Sequence, residues 1–481
     1  MPFRHRSLGY IMLRAAIIMS CYVGTVGAYP LAKGADATLV AGVATVDITP
    51  EPGLMLWGYS NRTHGATGTL DPLVAKALVL RAGDQSVAIV SLDLGRTPEE
   101  AVLAKVRSRT TAECGVSNLF ITASHTHHAP AMEAPTGRPN PYAEQVGDKI
   151  AEIIRNAAGN MVPVRIGVGR GTADFAHNRR KYLPDGRVAM QWRNASREPT
   201  EPVDPEYGVI RLDRTDGSVL AVLFNYACHP VVMGGDNYQY SADYVGGACA
   251  VVEDQLKTKC LFLQGGCGNI NPYMDKTPLD QGGVGEMRKM GRGLGELLAK
   301  TASETTTSLP AHPSLKFESR TVPVRVRWDL DDSEVRMVLS KAYGPRFDNY
   351  LAKTIRNNKL PCTLTTLLID DYLALVGMPG EIFVQFQTAI KTRSPVANSF
   401  LVGYTNGYHG YFPTLRDAAA GGYGGKTATY VEPGAGERLT DEALITLYKM
   451  TDHLHDKPRT EDFKLIEYDE VKKGADANSR K

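Results

Sequence analysis

What most limits the fold of this chain is a recurring unit: a short apolar run halted by a glycine, a proline or a polar side chain. Val74 to Leu80, Val87 to Leu94, Leu119 to Thr122, Val219 to Asn225, Cys260 to Gln264 and Tyr372 to Met378 all have this form. Runs of roughly 4–8 apolar residues bounded by turn signals read as strands buried in a sheet. The first two make a hairpin that turns at Gly83-Asp84, and the stretch from Gly42 to Pro50 is a strand stopped by proline. Val322 to Trp328 alternates in the manner of an exposed edge strand. Helices are expected between the runs, over Pro98 to Arg109 with a stripe of Val102, Leu103 and Val106, over Tyr244 to Leu256, and over Glu381 to Lys391. The Ala- and Gly-rich stretch from Ala418 to Gly425 reads as a loop. Strands interspersed with helices in this way predict an α/β (mixed α+β) fold, a single large domain with a mixed β-sheet flanked by helices. That domain is expected over residues 40–455, with neither internal repeat nor linker, followed by a polar tail, 456–481, that frays.

The charge balance excludes one class of partner. Lys and Arg number 54 against 52 Asp and Glu, a formal net charge of +2, which gives no field suited to nucleic acid and at most peripheral contact with a membrane. Function therefore has to be sought in a local site. At the N-terminus, Arg4, Arg6 and Arg14 precede an apolar stretch from Ala15 to Val26 and the small-residue pattern Val26-Gly27-Ala28. That order predicts a signal peptide over residues 1–28 and an exported protein, periplasmic or secreted. A membrane anchor needs about 20 uninterrupted apolar residues, more than this stretch supplies. Ile18-Met19-Ser20-Cys21 is a loose lipobox, so lipoprotein anchoring at Cys21 is the minority alternative. The remaining six cysteines, Cys114, Cys228, Cys249, Cys260, Cys267 and Cys362, show no paired metal-knuckle spacing; an oxidising compartment permits disulfides among them with no pairing fixed by the spacing, and Cys228 and Cys267 are expected as small buried hydrophobes.

Chemistry concentrates where the apolar runs end. Ser124-His125-Thr126-His127-His128-Ala129-Pro130 puts two histidines two residues apart at a strand exit. Alternate side chains of an extended chain share a face, so His125 and His127 address one site. A metal centre with an adjacent acid–base residue suits this pair, and a polar loop of merely hydrogen-bonding histidines suits it equally. His229 follows the run ending in Cys228 and precedes Pro230, which places it at another strand exit. Glu381, in Met378-Pro379-Gly380-Glu381, is a carboxylate beside an apolar run. Such a group needs a partner, either a cation or a helix N-terminus.

Taken in order, these segments resemble the neutral ceramidase family. Its members begin with a strand like Val46-Asp47-Ile48-Thr49, continue through Gly58-Tyr59, and carry a segment similar to Ser91-Leu92-Asp93-Leu94-Gly95. Their Thr-His-Thr-His-Ser-Gly-Pro motif is similar to Ser124 to Pro130, their Asn-Arg pair to Asn178-Arg179, and their Asn-Trp-Phe-Ala-Val-His-Pro segment to Asn225 to Pro230. Pro379-Gly380-Glu381-Ile382 and Tyr408-His409-Gly410-Tyr411 complete a match running from Gly42 to Gly436. The resemblance implies one zinc ion per chain held by His125, His229, Glu381 and Tyr411, with room for an additional structural calcium or magnesium ion. It also implies that His127 and Arg179 face the substrate.

Two departures bear on that expectation. Family members carry a serine in Gly-Asp-Val-Ser-Pro, whereas Gly268-Asn269-Ile270-Asn271-Pro272 stands here, and Asn271 cannot attack a carbonyl. Ceramidases also append an immunoglobulin-like domain, whereas this sequence ends at Lys481, which widens the expected substrate beyond ceramide. The expectation is metal-assisted hydrolysis of the amide of ceramide or a related N-acyl lipid. In it His127 moves the proton, Arg179 and Asn271 donate hydrogen bonds, and Asp93 orients a metal-bound histidine. The alternatives are hydrolysis of a non-sphingolipid amide and a zinc-containing binding protein without activity.

Overall fold

Strands rich in Val, Ile and Leu form the larger of two principal sheets. They are β1 (Val40–Asp47), β2 (Val74–Ala82), β3 (Gln85–Leu92), β4 (Asn118–Ala123), β5 (Val162–Thr172), β6 (Glu206–Arg214), β7 (Val219–Tyr226) and β8 (Lys259–Gln264). The computed structural model describes residues 38–132, 140–200, 202–310, 313–343 and 358–465. Residues 1–28, including Cys21, and the tail beyond residue 465 lie outside the described residues. Strand order is β8-β7-β6-β5-β1-β2-β3-β4, with antiparallel pairing inside and parallel pairing in the outer pairs β7/β8 and β3/β4. Parallel neighbours require a crossover. The helices α1 (Glu100–Cys114), α2 (Pro141–Gly159), α3 (Tyr244–Leu256) and α4 (Gly283–Glu304) include both crossovers, α1 between β3 and β4 and α3 between β7 and β8. As a result, the carboxyl ends of β3, β4, β7 and β8 supply the exits where chemistry-bearing residues stand.

The sheet curls until its outer strands face each other. Ser91 on β3 donates to the Phe262 carbonyl on β8 at 2.7 Å, and the Gln264 amide donates to the Ser124 carbonyl at 2.8 Å. Strands far apart in strand order thereby deliver their exits to one place.

The second sheet comprises β9 (Leu315–Arg325), β10 (Lys359–Ile369), β11 (Leu373–Gly377) and β13 (Asn398–Val402), in the order β9-β10-β11-β13. Leu367, Leu375, Phe400 and Val402 from it share a core with Leu80, Ile89, Phe120, Leu223 and Leu263 from the larger sheet. Phe400 is fully buried there, and truncation to alanine is expected to cost about 3–5 kcal/mol.

The expected buried strands and the α3 helix appear where the apolar runs place them; the edge strand β9 does lie at a sheet edge but starts at Leu315 and ends at Arg325, sharing only Val322 to Arg325 with the expected Val322 to Trp328. Two local expectations fail. Glu381 does not begin a helix: the short strand β12 (Glu381–Ile382) runs parallel to β14 (Tyr411–Phe412), and α5 starts only at Val384 and ends at Arg393. Backbone donors explain this, since Glu381 N–H bonds Gly410 O at 2.9 Å and Phe383 N–H bonds Phe412 O at 3.2 Å. The stretch read as a loop from Ala418 is entered by a helix, Leu415–Ala420, whose Thr414 side chain caps the Asp417 N–H. The six described cysteines are free, five of them buried. Among the described residues, no helix is long and apolar enough to cross a membrane.

Candidate metal centre

His125 leaves β4 with φ of 69°, a left-handed conformation that costs energy for a residue with a Cβ. Its imidazole turns inward, and Nδ1 lies 2.6 Å from Gly95 O. His229 leaves β7, and its Nδ1 lies 3.1 Å from Ile270 O. A carbonyl only accepts, so in both rings the proton sits on Nδ1 and the Nε2 lone pair is bare. Both lone pairs aim at Glu381 Oε2, at 3.5 Å from His125 and 3.1 Å from His229. Three acceptors converging at such distances repel unless a proton or a cation lies among them.

Glu381 lies just beyond β11 of the second sheet, in the two-residue strand β12. The ladder between β12 and β14 puts it directly beside Tyr411 in register. Its Oε1 accepts the Tyr408 hydroxyl at 2.6 Å. Burial alone would raise its carboxyl; a proton or cation shared with His125 and His229 holds it well below the usual carboxylate range. Tyr411 shifts the other way: burial, with Glu381 adding to it, pushes its hydroxyl up so that it stays protonated. Burial, followed by the Arg179 charge, lowers His229 to about 4.

Behind Tyr411 stands Arg179. Its guanidinium donates to the Tyr411 hydroxyl at 3.0 Å, to Gly268 O at 2.6 Å and to Asn271 Oδ1 at 3.0 Å. Asn271 in turn donates to Asp275 Oδ2 at 2.9 Å. The Arg179 guanidinium also sits against the faces of Trp192, Tyr411 and Tyr423. Neither Arg179 nor Asn271 lines the adjoining cavity of about 2010 Å³, whereas His125, His127, Glu381, Tyr408, Tyr411 and Tyr423 do.

His127 differs from the other two histidines. Its Nε2 lies 3.4 Å from His125 Nε2, and ligand nitrogens of His125, His127 and His229 all fall within 4.8 Å of one another. Its Nδ1 has no hydrogen-bond partner among the described residues, so no carbonyl fixes its tautomer. Gly58, at φ of 94°, lets the ring sit this deep, since a Cβ there would fall 2.4 Å from it. Burial holds His127 well below the ordinary histidine range, leaving it neutral.

All but one of the residues singled out from the sequence thus gather in one region, in two tiers: His125, His127, His229, Glu381 and Tyr411 at the centre, Arg179 and Asn271 behind. Asp93 is elsewhere. Its Oδ2 accepts Val74 N–H at 3.0 Å, and a backbone carbonyl, Gly95 O, orients His125 instead. Tyr404 was missed. Its ring stacks on His125 at a centroid distance of 4.2 Å, with φ of 52°, and nothing in the run Leu401 to Thr405 signals it.

Imidazole, carboxylate and phenol oxygen are a donor set that suits a divalent transition metal, and the converging lone pairs supply the place for it. Fold and site together define a mixed α/β protein with a buried histidine–carboxylate centre of metal-binding type at its strand exits. Residues 39–266 match the family model for the N-terminal part of neutral/alkaline non-lysosomal ceramidase. The chain is 24% identical over 282 residues to neutral ceramidase of Pseudomonas aeruginosa, a match covering 55% of this chain and 41% of that protein, so it spans less than half of the relative's length. The crystal structure of neutral ceramidase from Pseudomonas aeruginosa superposes with a TM-score of 0.66 at 19% identity, covering 89% of this chain and 78% of that one. A ceramidase complexed with C2 gives a TM-score of 0.67 at 19% identity, covering 88% and 77%. The chain is similar to the neutral ceramidases in sequence and in fold.

Proposed function

We propose that the protein is an exported zinc-dependent amidohydrolase that cleaves the amide of ceramide or a related N-acyl lipid by attack of water. The observation that carries this reading is the convergence of the bare His125 and His229 nitrogens on the Glu381 carboxylate, beside a cavity large enough for a lipid amide. His125, His229, Glu381 and Tyr411 would hold the ion. When bound there, zinc acidifies a coordinated water toward neutrality and polarises a carbonyl.

The chain's own residues divide the remaining work. His127 is neutral and untied at Nδ1, so it accepts the proton of the attacking water and returns it to the leaving amine, a role worth about 10²–10⁴ in rate. The Tyr411 hydroxyl, protonated and braced by Arg179, stands beside Glu381 as a hydrogen-bond donor to the developing oxyanion. Asn271 acts through Arg179, holding its guanidinium against Tyr411. A covalent route through position 271 has no nucleophile.

The test is incubation of purified protein with ceramides and N-acyl amino acids, alongside metal analysis. The expected result is about one zinc per chain and release of free fatty acid that is lost in His125→Ala. Bound zinc without turnover of any amide would leave the binding-protein reading in its place.

A further inference from the structure

The two histidines and the carboxylate come from strands remote in sequence, so something must set their separation. Gln264, the last residue of β8, lies where the outer strands of the larger sheet meet, and its side chain is fully buried. Its Nε2 donates to Ser124 O at 2.8 Å and to Cys228 O at 3.1 Å. Those are the carbonyls immediately before His125 and His229. Its own backbone carbonyl accepts Gly403 N–H at 2.9 Å, and the next residue, Tyr404, donates its N–H to Gly380 O at 3.1 Å, directly before Glu381. Tyr404 is also the ring stacked on His125.

One residue therefore touches, or reaches through a single further hydrogen bond, the peptide preceding each of the three groups. The amide orientation is dictated from this side alone, because Gln264 Oε1 is buried with no partner among the described residues. A buried carbonyl left unsatisfied calls for a reason. Turning the amide over would satisfy nothing and would set an oxygen against two carbonyl oxygens, so the two donated bonds are the reason.

We infer that Gln264 is a positioning residue that fixes the distance between the His125 and His229 nitrogens and Glu381, and so tunes affinity and geometry at the metal centre. This rests on the metal-centre reading above. Gln264→Met keeps the length of the side chain and removes both donors, and Gln264→Glu keeps its shape and replaces the donors with oxygens that repel the carbonyls.

The measurement is cobalt(II) titration of the apo protein, followed by its visible absorption, with circular dichroism to confirm folding. Loss of the two bonds is expected to weaken cobalt binding about 10–100-fold, to shift the absorption bands, and to lower kcat with KM little changed. A folded Gln264→Met variant with wild-type affinity and spectrum would overturn the inference, while a wild type that takes up no cobalt would defeat the metal-centre reading itself. A crystal structure of the cobalt-loaded wild type reads the same point without any variant. Both amide-to-carbonyl hydrogen bonds must be present, and a Gln264 side chain turned away from either carbonyl overturns the proposal.

Discussion

The two sheets contribute unlike halves to the centre. The larger sheet supplies nitrogen, and each of its two inner histidines is oriented by a main-chain carbonyl, Gly95 O for His125 and Ile270 O for His229. The smaller sheet and the turns after it supply oxygen, oriented by side chains in series: Tyr408 holds Glu381, Arg179 holds Tyr411, and Asn271 holds Arg179. Main-chain carbonyls are fixed by the fold and no single substitution removes them. A relay of side chains can be cut at any link. Substitutions outside the inner groups should therefore loosen the oxygen half far more readily than the nitrogen half.

Removing charge from the oxygen half should have the largest effect. Glu381→Gln keeps the shape and abolishes the anion that faces both histidine lone pairs. Metal affinity is expected to fall at least about 10²-fold by equilibrium dialysis, with amide hydrolysis lost in step. If zinc remains at one per chain under dialysis, the nitrogen half alone suffices and the comparison breaks. Next comes the relay. Asn271→Ala deprives Arg179 of its Oδ1 partner, and kcat is expected to drop about 10–100-fold with the fold intact, because the Tyr411 hydroxyl loses its brace. Unchanged kcat in a folded variant would remove Asn271 from the relay. A smaller loss is expected for Tyr408→Phe, which deletes one hydrogen bond to an ionised carboxylate, about 1.5 kcal/mol at the low end for such bonds, and should lower metal affinity roughly 10-fold.

The same division explains what the sequence made legible. Strand exits could be read because an apolar run that stops at His-Pro, or at a His-x-His, leaves the polar residue nowhere else to go, and His125, His127 and His229 were found that way. Glu381 stands out beside its apolar run, but its setting reads as a helix start, since the two-residue ladder to Tyr411 is a non-local pairing with no local pattern. β5 went unrecognised because Gly167, Gly169 and Gly171 make it look like a loop. Those glycines are instead close approaches, where a Cβ would meet Thr306 O, Thr305 Oγ1 and Tyr207 Oη at about 2.2 Å. Tyr404 and Gln264 sit at strand ends with no motif around them. Their roles depend on a curl of the sheet that brings remote strands together, which no window of sequence contains.

The smallest expected effect lies on the nitrogen side. Were a carboxylate the group behind His125, Asp93 would be the candidate, and Asp93→Asn would cost about 10–100-fold in metal affinity. The geometry gives that task to Gly95 O, so metal affinity and kcat should be unchanged. Stability should move instead. Burial raises the Asp93 carboxyl from 3.8 to about 6, so the folded chain holds this proton more tightly than the unfolded one. Its favourable contribution is complete below 3.8 and is lost as pH rises through 6, leaving a buried anion at neutral pH, at a cost of up to ~3 kcal/mol. Asparagine still accepts the Val74 N–H and carries no charge. Asp93→Asn should therefore melt a few degrees higher than wild type at pH 8, and the gap should close as pH falls toward 4. A variant that instead loses metal at unchanged Tm would show that a side chain, not the backbone, orients the nitrogen half.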